Sequence, residues 1–319
     1  MVKSSAHKAL LTWYETNGRH ELPWRNTDNI YHIYVSEIML QQTQVSRVQD
    51  EYYPKFLARF PTLEALGAAE LDEVFGLWSG LGYYSRARNL HKSAQLSDKE
   101  LPCEQTELLK LPGIGKYTAS AICSFGYRQN VPVVDTNIAR VLKRYFGLLE
   151  VKEKTLWEYA AAFLNAADAR AHNLALMDLG SLVCTPKNPH CEICPLRLEC
   201  VGRNEPELYT KNKKKAYESL ELFYGINIKN GNIALRVSNE KLYKGMLVLP
   251  NVEPIEENFI AAFKHSYTKY RLHISLYDVE EFVDDKVVWT PLSALENAPI
   301  SALTKKAVDT LTQKGKIWI

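Results

Sequence analysis

The chain has 319 residues, 46% of them hydrophobic and 24% charged, with a formal net charge of +2. That length accommodates two or three domains with cores of their own, and the composition is that of a soluble globular protein. The small charge excludes a nucleic-acid argument from bulk electrostatics, and no apolar run reaches the about 18 residues a membrane span requires.

In chain order, residues 1–20 show an amphipathic helical pattern (Leu10, Leu11, Tyr14) and no apolar signal core, which points to a cytoplasmic protein. Glu37 lies in Ile33–Tyr34–Val35–Ser36–Glu37–Ile38–Met39–Leu40, an otherwise apolar helix. A glutamate held in an apolar pocket has a raised pKa and can serve as a general acid. Gln41–Gln42–Thr43–Gln44 follows, a polar cluster whose glutamines can read base edges. The spacing Leu63–Leu66–Leu71–Val74–Leu77 predicts further helices, and Gly80–Leu81–Gly82–Tyr83–Tyr84 interrupts them, with Arg86 and Arg88 beyond. Leu111–Pro112–Gly113–Ile114–Gly115–Lys116–Tyr117 closes one helix and opens the next. Gly113 and Gly115 permit a tight turn and a close approach to a ligand. The helix that follows offers unpaired N–H groups to an anion such as a phosphate, and Lys116 adds charge. Asp135 follows Val131–Pro132–Val133–Val134 and precedes the helical pattern Ile138–Val141–Leu142–Tyr145, the place of an N-cap. A carboxylate at a positive helix end stays ionised.

Four of the six cysteines crowd into one loop: Cys184, Cys191, Cys194 and Cys200. Four thiolates satisfy tetrahedral zinc or a cubane iron–sulfur cluster, and the single Cys-x-x-Cys pair, Cys191–Cys194, favours the cluster. Cys103 and Cys123 read as core or helix residues. Residues 204–217 read as a connector carrying Pro206 and the lysines Lys211, Lys213, Lys214 and Lys215. The texture then changes. Leu220–Leu222–Tyr224–Ile226–Ile228, Ile233–Leu235–Val237 and Leu272–Ile274–Leu276 alternate with period two, and Lys229–Asn230–Gly231–Asn232 signals a hairpin. A last helix is predicted near Ala302–Leu311.

The cysteine spacing resembles the 4Fe-4S signature of the endonuclease III and adenine glycosylase families. Leu111–Pro112–Gly113–Ile114–Gly115–Lys116 resembles the helix-hairpin-helix of DNA repair proteins. Ser36–Glu37–Ile38–Met39–Leu40–Gln41–Gln42–Thr43–Gln44–Val45, Leu22–Pro23–Trp24–Arg25, Trp78–Ser79–Gly80–Leu81–Gly82–Tyr83–Tyr84 and Met177–Asp178–Leu179–Gly180 resemble MutY-type adenine DNA glycosylases, and the likeness runs from residue 1 to about residue 203. The resemblance implies a mostly α helix-hairpin-helix glycosylase core of two domains. These are an iron–sulfur domain of residues 1–25 and 132–203, and a helical-barrel domain of residues 26–131. It further implies a C-terminal α/β Nudix-like lesion-reading domain, residues 218–319.

By the same resemblance Glu37 protonates the departing base, and Asp135 faces the sugar cation with support from Asn137. Tyr117 stands where strand-cutting relatives carry a lysine, which implies a monofunctional enzyme. Arg25, Gln42, Thr43, Gly113, Gly115, Lys116 and Lys187 are expected at the DNA, with Tyr83 as a wedge beside the extruded base pair. One 4Fe-4S cluster would be held by the four cysteines. The implied partner is double-stranded DNA with adenine opposite 8-oxoguanine or guanine, met by a DNA-associated monomer with no membrane attachment. Tyr267, Thr268 and Lys269 align with a lesion-reading loop whose histidine is here a lysine. Leu174 replaces a family Gln or Glu near the base, so either His172 or Asn173 compensates or base selectivity is looser. Two alternatives remain: a related mismatch or oxidised-pyrimidine glycosylase, and a catalytically silent iron–sulfur DNA-binding protein.

Overall fold

The structure, a computed structural model, describes residues 4–210, 217–240, 243–267, 269–282, 286–295 and 298–316. It divides into two compact units: residues 1–68 with 89–213, and residues 69–88 with 214–319. No described helix is long and apolar enough to cross a membrane.

The helices before the sheets are α1 (Ser4–Asn17), α2 (Ile30–Met39), α3 (Val45–Arg47), α4 (Tyr53–Arg59), α5 (Leu63–Ala68), α6 (Leu71–Trp78), α7 (Ser85–Leu96), α8 (Gln105–Leu108), α9 (Lys116–Ala121), α10 (Thr136–Phe146), α11 (Glu153–Phe163) and α12 (Ala169–Leu182). Local chemistry fixes several of their ends. Asn29 caps α2 by accepting from the His32 N–H, Asp135 caps α10 through Ile138, and Asp168 caps α12 through Ala171. The core of the first unit gathers Leu10 from α1, Ile33 from α2, Ile138 and Leu142 from α10, Phe163 from α11, and Leu176 and Leu179 from α12. Burial of such side chains contributes roughly 1.5–3 kcal/mol each. Cys184, Cys194 and Cys200 pack against the same core. The connector is not loose throughout: Pro206 accepts a hydrogen bond from the buried Arg144 at 3.0 Å. Its lysines at 211 and 213–215 lie outside the described residues.

The second unit holds strands β1 (Glu218–Ile226), β2 (Ile228–Lys229), β3 (Asn232–Val237), β4 (Leu247–Val248), β5 (Phe259–Tyr267), β6 (Tyr270–Asp278) and β7 (Val287–Pro291), and helix α13 (Ala302–Gln313). One sheet has the order β1-β6-β5, with β1 parallel and β5 antiparallel to β6. The other pairs β3 with β2, β4 and β7. Period-two patterning explains the first sheet: Leu272, Ile274 and Leu276 are all buried and pair in register with Leu220, Leu222 and Tyr224. The Asn–Gly signal is a true hairpin turn, with φ of 50° at Asn230 and 73° at Gly231, both in the left-handed region that a type I′ turn requires. Ser301 caps α13, which packs its buried face (Leu303, Ala307, Leu311) on β4 and β5.

One buried polar side chain carries a cost. His172 on α12 is 1% exposed, and neither ring nitrogen has a hydrogen-bond partner; the ring lies edge-on to His7 and Phe163. Burial lowers its pKa from 6.5 to about 3. The unfolded imidazole takes up a proton as pH falls below about 6.5 while the folded one stays neutral, so stability present above that pH is lost as pH drops through the window toward 3. Replacing His172 by Leu should shrink the fall in unfolding free energy between pH 7 and pH 5 by about 2 kcal/mol, measured by urea denaturation at both pH values. An unchanged fall would remove His172 as the acid-sensitive group.

Candidate active site and iron–sulfur loop

Three segments far apart in sequence meet at one pocket of the first unit. Glu37 comes from α2, Tyr117 from the first turn of α9, and Asp135 and Asn137 from the start of α10; all line the pocket with Thr43 and Leu174. Glu37 is 6% exposed, and its Oε2 accepts a hydrogen bond from the Tyr117 hydroxyl at 2.6 Å. Burial pushes the Glu37 carboxyl up from 4.5 to about 7. The tyrosine's hydrogen bond and Arg25 oppose that rise, and the charge of Asp135 assists it. The Tyr117 hydroxyl is itself pushed well above its ordinary range, by burial first and by the Glu37 charge second. Near neutral pH the pocket therefore holds a carboxyl with a proton to give.

Burial also raises the pKa of Asp135 above its ordinary value, but more donors meet it: its Oδ1 accepts from the Ile138 N–H at 2.7 Å and its Oδ2 from the Asn137 side-chain amide at 2.9 Å, and both bonds favour the anion. Asn137 is held in turn: its Oδ1 accepts from Arg140 at 2.9 Å. The same guanidinium donates to the carbonyls of Gly180 and, at 2.7 Å, of Cys184. One arginine thus joins the carboxylate's support to the first residue of the cysteine loop. Arg144, one turn further along α10 and 2% exposed, donates to the Cys184 sulfur at 3.2 Å and to the carbonyls of Thr185 and Pro186. Neither arginine stands out in the sequence except by the four-residue spacing of Arg140 and Arg144 on α10.

Cys184, Cys191, Cys194 and Cys200 line a single pocket. Four soft thiolate donors from one loop, gathered at one pocket, suit an iron–sulfur cluster. Lys187 is exposed in the same loop, at a turn where the Thr185 hydroxyl donates to its carbonyl.

Of the other expected residues, Gly113 takes φ +76°, and a Cβ there would meet Asn89 Cβ at 2.7 Å, so the hairpin needs glycine. Gly115 is exposed with open space around it. Lys116 places its ammonium over the Trp157 ring, 4.1 Å from the ring centroid. Tyr83, in the second unit, takes φ 49° directly after the positive-φ glycines Gly80 and Gly82, and Arg86 braces that turn by donating to the carbonyls of Leu81 and Gly82.

Four expectations need correction or relocation. Arg25 has no face for a DNA phosphate: it is 8% exposed, and Asp178 takes both of its terminal nitrogens. The Gln–Gln–Thr segment does not continue α2, which ends at Met39; Gln42 is exposed with φ 57° in a turn, and Thr43 faces the pocket. Neither neighbour compensates for Leu174. Asn173 spends its side chain on Val133, Ser124 and Val131, and His172 packs between His7 and Phe163. Tyr267 ends β5, Lys269 is exposed and pairs with Glu218 at 2.5 Å, and Thr268 lies outside the described residues.

Residues 35–164 match the family described as HhH-GPD superfamily base excision DNA repair protein, and residues 184–197 match the iron-sulfur binding domain of endonuclease III. The chain is 34% identical over 294 residues to the adenine DNA glycosylase of Buchnera aphidicola subsp. Schizaphis graminum, covering 83% of this chain and 84% of that one. It is 42% identical over 209 residues to the adenine DNA glycosylase of Rattus norvegicus, covering 60% and 40% respectively. Among solved structures it is similar to a thermostable thymine-DNA glycosylase, with a TM-score of 0.58 and 31% identity over 62% of this chain and 94% of that one. It shares its fold with endonuclease III in a DNA complex, with a TM-score of 0.56 and 20% identity over 64% and 98%. The chain carries a 4Fe-4S cluster.

The close approach of α12 to the start of α10 depends on Gly180, where a Cβ would meet the Asn137 Cβ at 2.7 Å and its carbonyl at 2.9 Å. Gly180→Ala should lower the unfolding free energy by about 1–3 kcal/mol. An unchanged denaturation midpoint would show that the helices have slack at this contact.

Proposed function

The chain belongs to the MutY-type adenine DNA glycosylases, enzymes of base excision repair that hydrolyse N-glycosyl bonds, and from that premise we propose that its substrate is adenine opposite 8-oxoguanine or guanine in double-stranded DNA, removed without strand cleavage. The observation that carries this reading is a pair of carboxyl groups at one pocket, both raised by burial, that differ in their donors, Glu37 holding its proton to about pH 7 and Asp135 bound by two donors that favour its anion.

In this reading the target nucleotide leaves the stack and enters the pocket beside Thr43 and Leu174. The Glu37 carboxyl gives its proton to a ring nitrogen of the base as the glycosidic bond breaks and the bonding electrons leave with the base. The sugar becomes an oxocarbenium-like cation, and the Asp135 carboxylate faces it. The Glu37 carboxylate then takes a proton from water as the hydroxyl adds to C1′, which restores the acid. Asn137, held by Arg140, keeps Asp135 aimed. Leu174 contributes shape and not a hydrogen bond, so the protonation step carries more of the base selectivity. Cys184, Cys191, Cys194 and Cys200 hold the cluster, whose contribution when bound is to fix the loop that presents Lys187 to phosphate. The hairpin at Gly113 and Gly115 grips a second phosphate, and Tyr83 wedges the gap left by the extruded base. The α/β unit from residue 218 is the Nudix-like lesion reader, with Tyr267, Thr268 and Lys269 as its reading residues, and the enzyme acts as a monomer.

Three outcomes test the chemistry. Glu37→Gln should slow base release by about 10²–10⁴-fold while DNA affinity is kept, and retained turnover would remove Glu37 from the acid role. Because the reactive form is protonated, the wild-type single-turnover rate should fall as pH rises through about 7. Tyr117 has no amine for an imine, so borohydride should trap no covalent protein–DNA adduct; efficient trapping would contradict a monofunctional mechanism.

A further inference from the structure

Asp178 on α12 has no exposed surface, yet it is fully charged and fully used. Its Oδ1 accepts from Arg19 Nε and Arg25 Nη2, each at 2.7 Å; its Oδ2 accepts from the Arg19 backbone N–H at 2.9 Å and from Arg25 Nη1. The two arginines come from the segment between α1 and α2, and both line the pocket that holds Glu37. A buried ion cluster of this kind adds little net stability, since desolvation offsets most of its attraction. Its position at the active-site pocket supplies a different reason for it.

Several charged or titratable groups face Glu37. Tyr117 comes from α9, Asp135 from the start of α10, Arg19 and Arg25 from the segment before α2, and Arg170 from α12. Arg170 also donates to the Arg25 carbonyl at 2.8 Å, tying the same segment down. Three guanidinium groups therefore line the pocket of a carboxyl that must keep its proton at neutral pH, and Arg25 is the one whose charge favours the Glu37 anion. The attraction of a cation runs against that requirement.

We propose that Asp178 is a positioning residue for the catalytic acid: by engaging both terminal nitrogens of Arg25 it pins that guanidinium at the pocket wall and offsets its charge, so that Glu37 stays protonated where the base is released. The inference rests on the reading of Glu37 as general acid and adds the group that sets its acidity. Arg25 is then part of the acid's surroundings and not a DNA contact.

The test reads the proton on Glu37 directly as well as the rate. The carboxyl carbon of Glu37, ¹³C-labelled and assigned by its loss in Glu37→Gln, is titrated by NMR in the iron–sulfur-loaded enzyme. Single-turnover base release from a duplex with adenine opposite 8-oxoguanine is followed over the same pH range with enzyme in excess. Asp178→Asn removes the counter-charge and nearly keeps the shape. It should lower the Glu37 midpoint by about one pH unit, which makes the rate about tenfold lower above both midpoints while the low-pH rate changes less. Arg25→Gln removes the cation instead and should move the midpoint upward. Asp178→Glu keeps the charge and should return the midpoint toward wild type even where the rate is lost. Opposite shifts support the proposal. A midpoint unmoved in both variants, or moved the same way by both, overturns it, and a pH-independent loss of rate would assign Asp178 to folding alone. If Asp178→Asn does not fold, the direction of the Arg25→Gln shift decides. Turnover retained in Glu37→Gln would overturn the acid reading, while the carboxyl titration would still show whether Asp178 governs that group.

Discussion

A carboxyl taken out of water is the constraint on which this site depends. Glu37 sits on a helix whose other faces supply core, and the Tyr117 hydroxyl meets it at hydrogen-bond distance. Desolvation of the charged form is what lifts its pKa to about 7, and it does so only if α2, α9 and α10 close around it. The helical core is therefore part of the chemistry. Ile33, one turn before Glu37, and Ile138, whose N–H holds Asp135, are both fully packed members of that core.

The second carboxyl is raised by burial as well, but the fold surrounds it with donors that oppose that effect. Asp135 is a helix cap, and capping supplies the N–H donors that its anion needs. From it a continuous line of hydrogen bonds runs through Asn137 and Arg140 to the backbone of Cys184, where Arg144 takes over and fastens Thr185 and Pro186. The cysteine loop and the site are thus built on one face of α10. Gly180 makes this compact by letting α12 lie against Asn137.

Parts of this were legible in the sequence because they are local. The cysteine spacing, the Asn230–Gly231 hairpin, the capping position of Asp135 and the alternation through Leu272, Ile274 and Leu276 each involve residues a few positions apart, where backbone geometry dictates the pattern. The pairing of Glu37 with Tyr117 spans 80 positions, and the pairing of Arg25 with Asp178 spans 153. No local rule links such residues, so Arg25 read as a surface cation and Asp178 had no assigned role. Gln41 to Thr43 read as a polar cluster with no local turn signal, yet Gln42 takes a left-handed φ of 57°. Arg144 shows the same limit, since an arginine that is 2% exposed is indistinguishable in sequence from one in solvent.

The central claim is that this pocket releases adenine and leaves the strand intact. The most direct measurement offers the purified, cluster-loaded protein a panel of duplexes with adenine, thymine or an oxidised pyrimidine as the target base, then analyses the DNA with and without alkali. The account predicts breaks at adenine opposite 8-oxoguanine or guanine that appear only after alkali. Intact adenine duplexes despite tight binding, or release of a pyrimidine in preference to adenine, would contradict it.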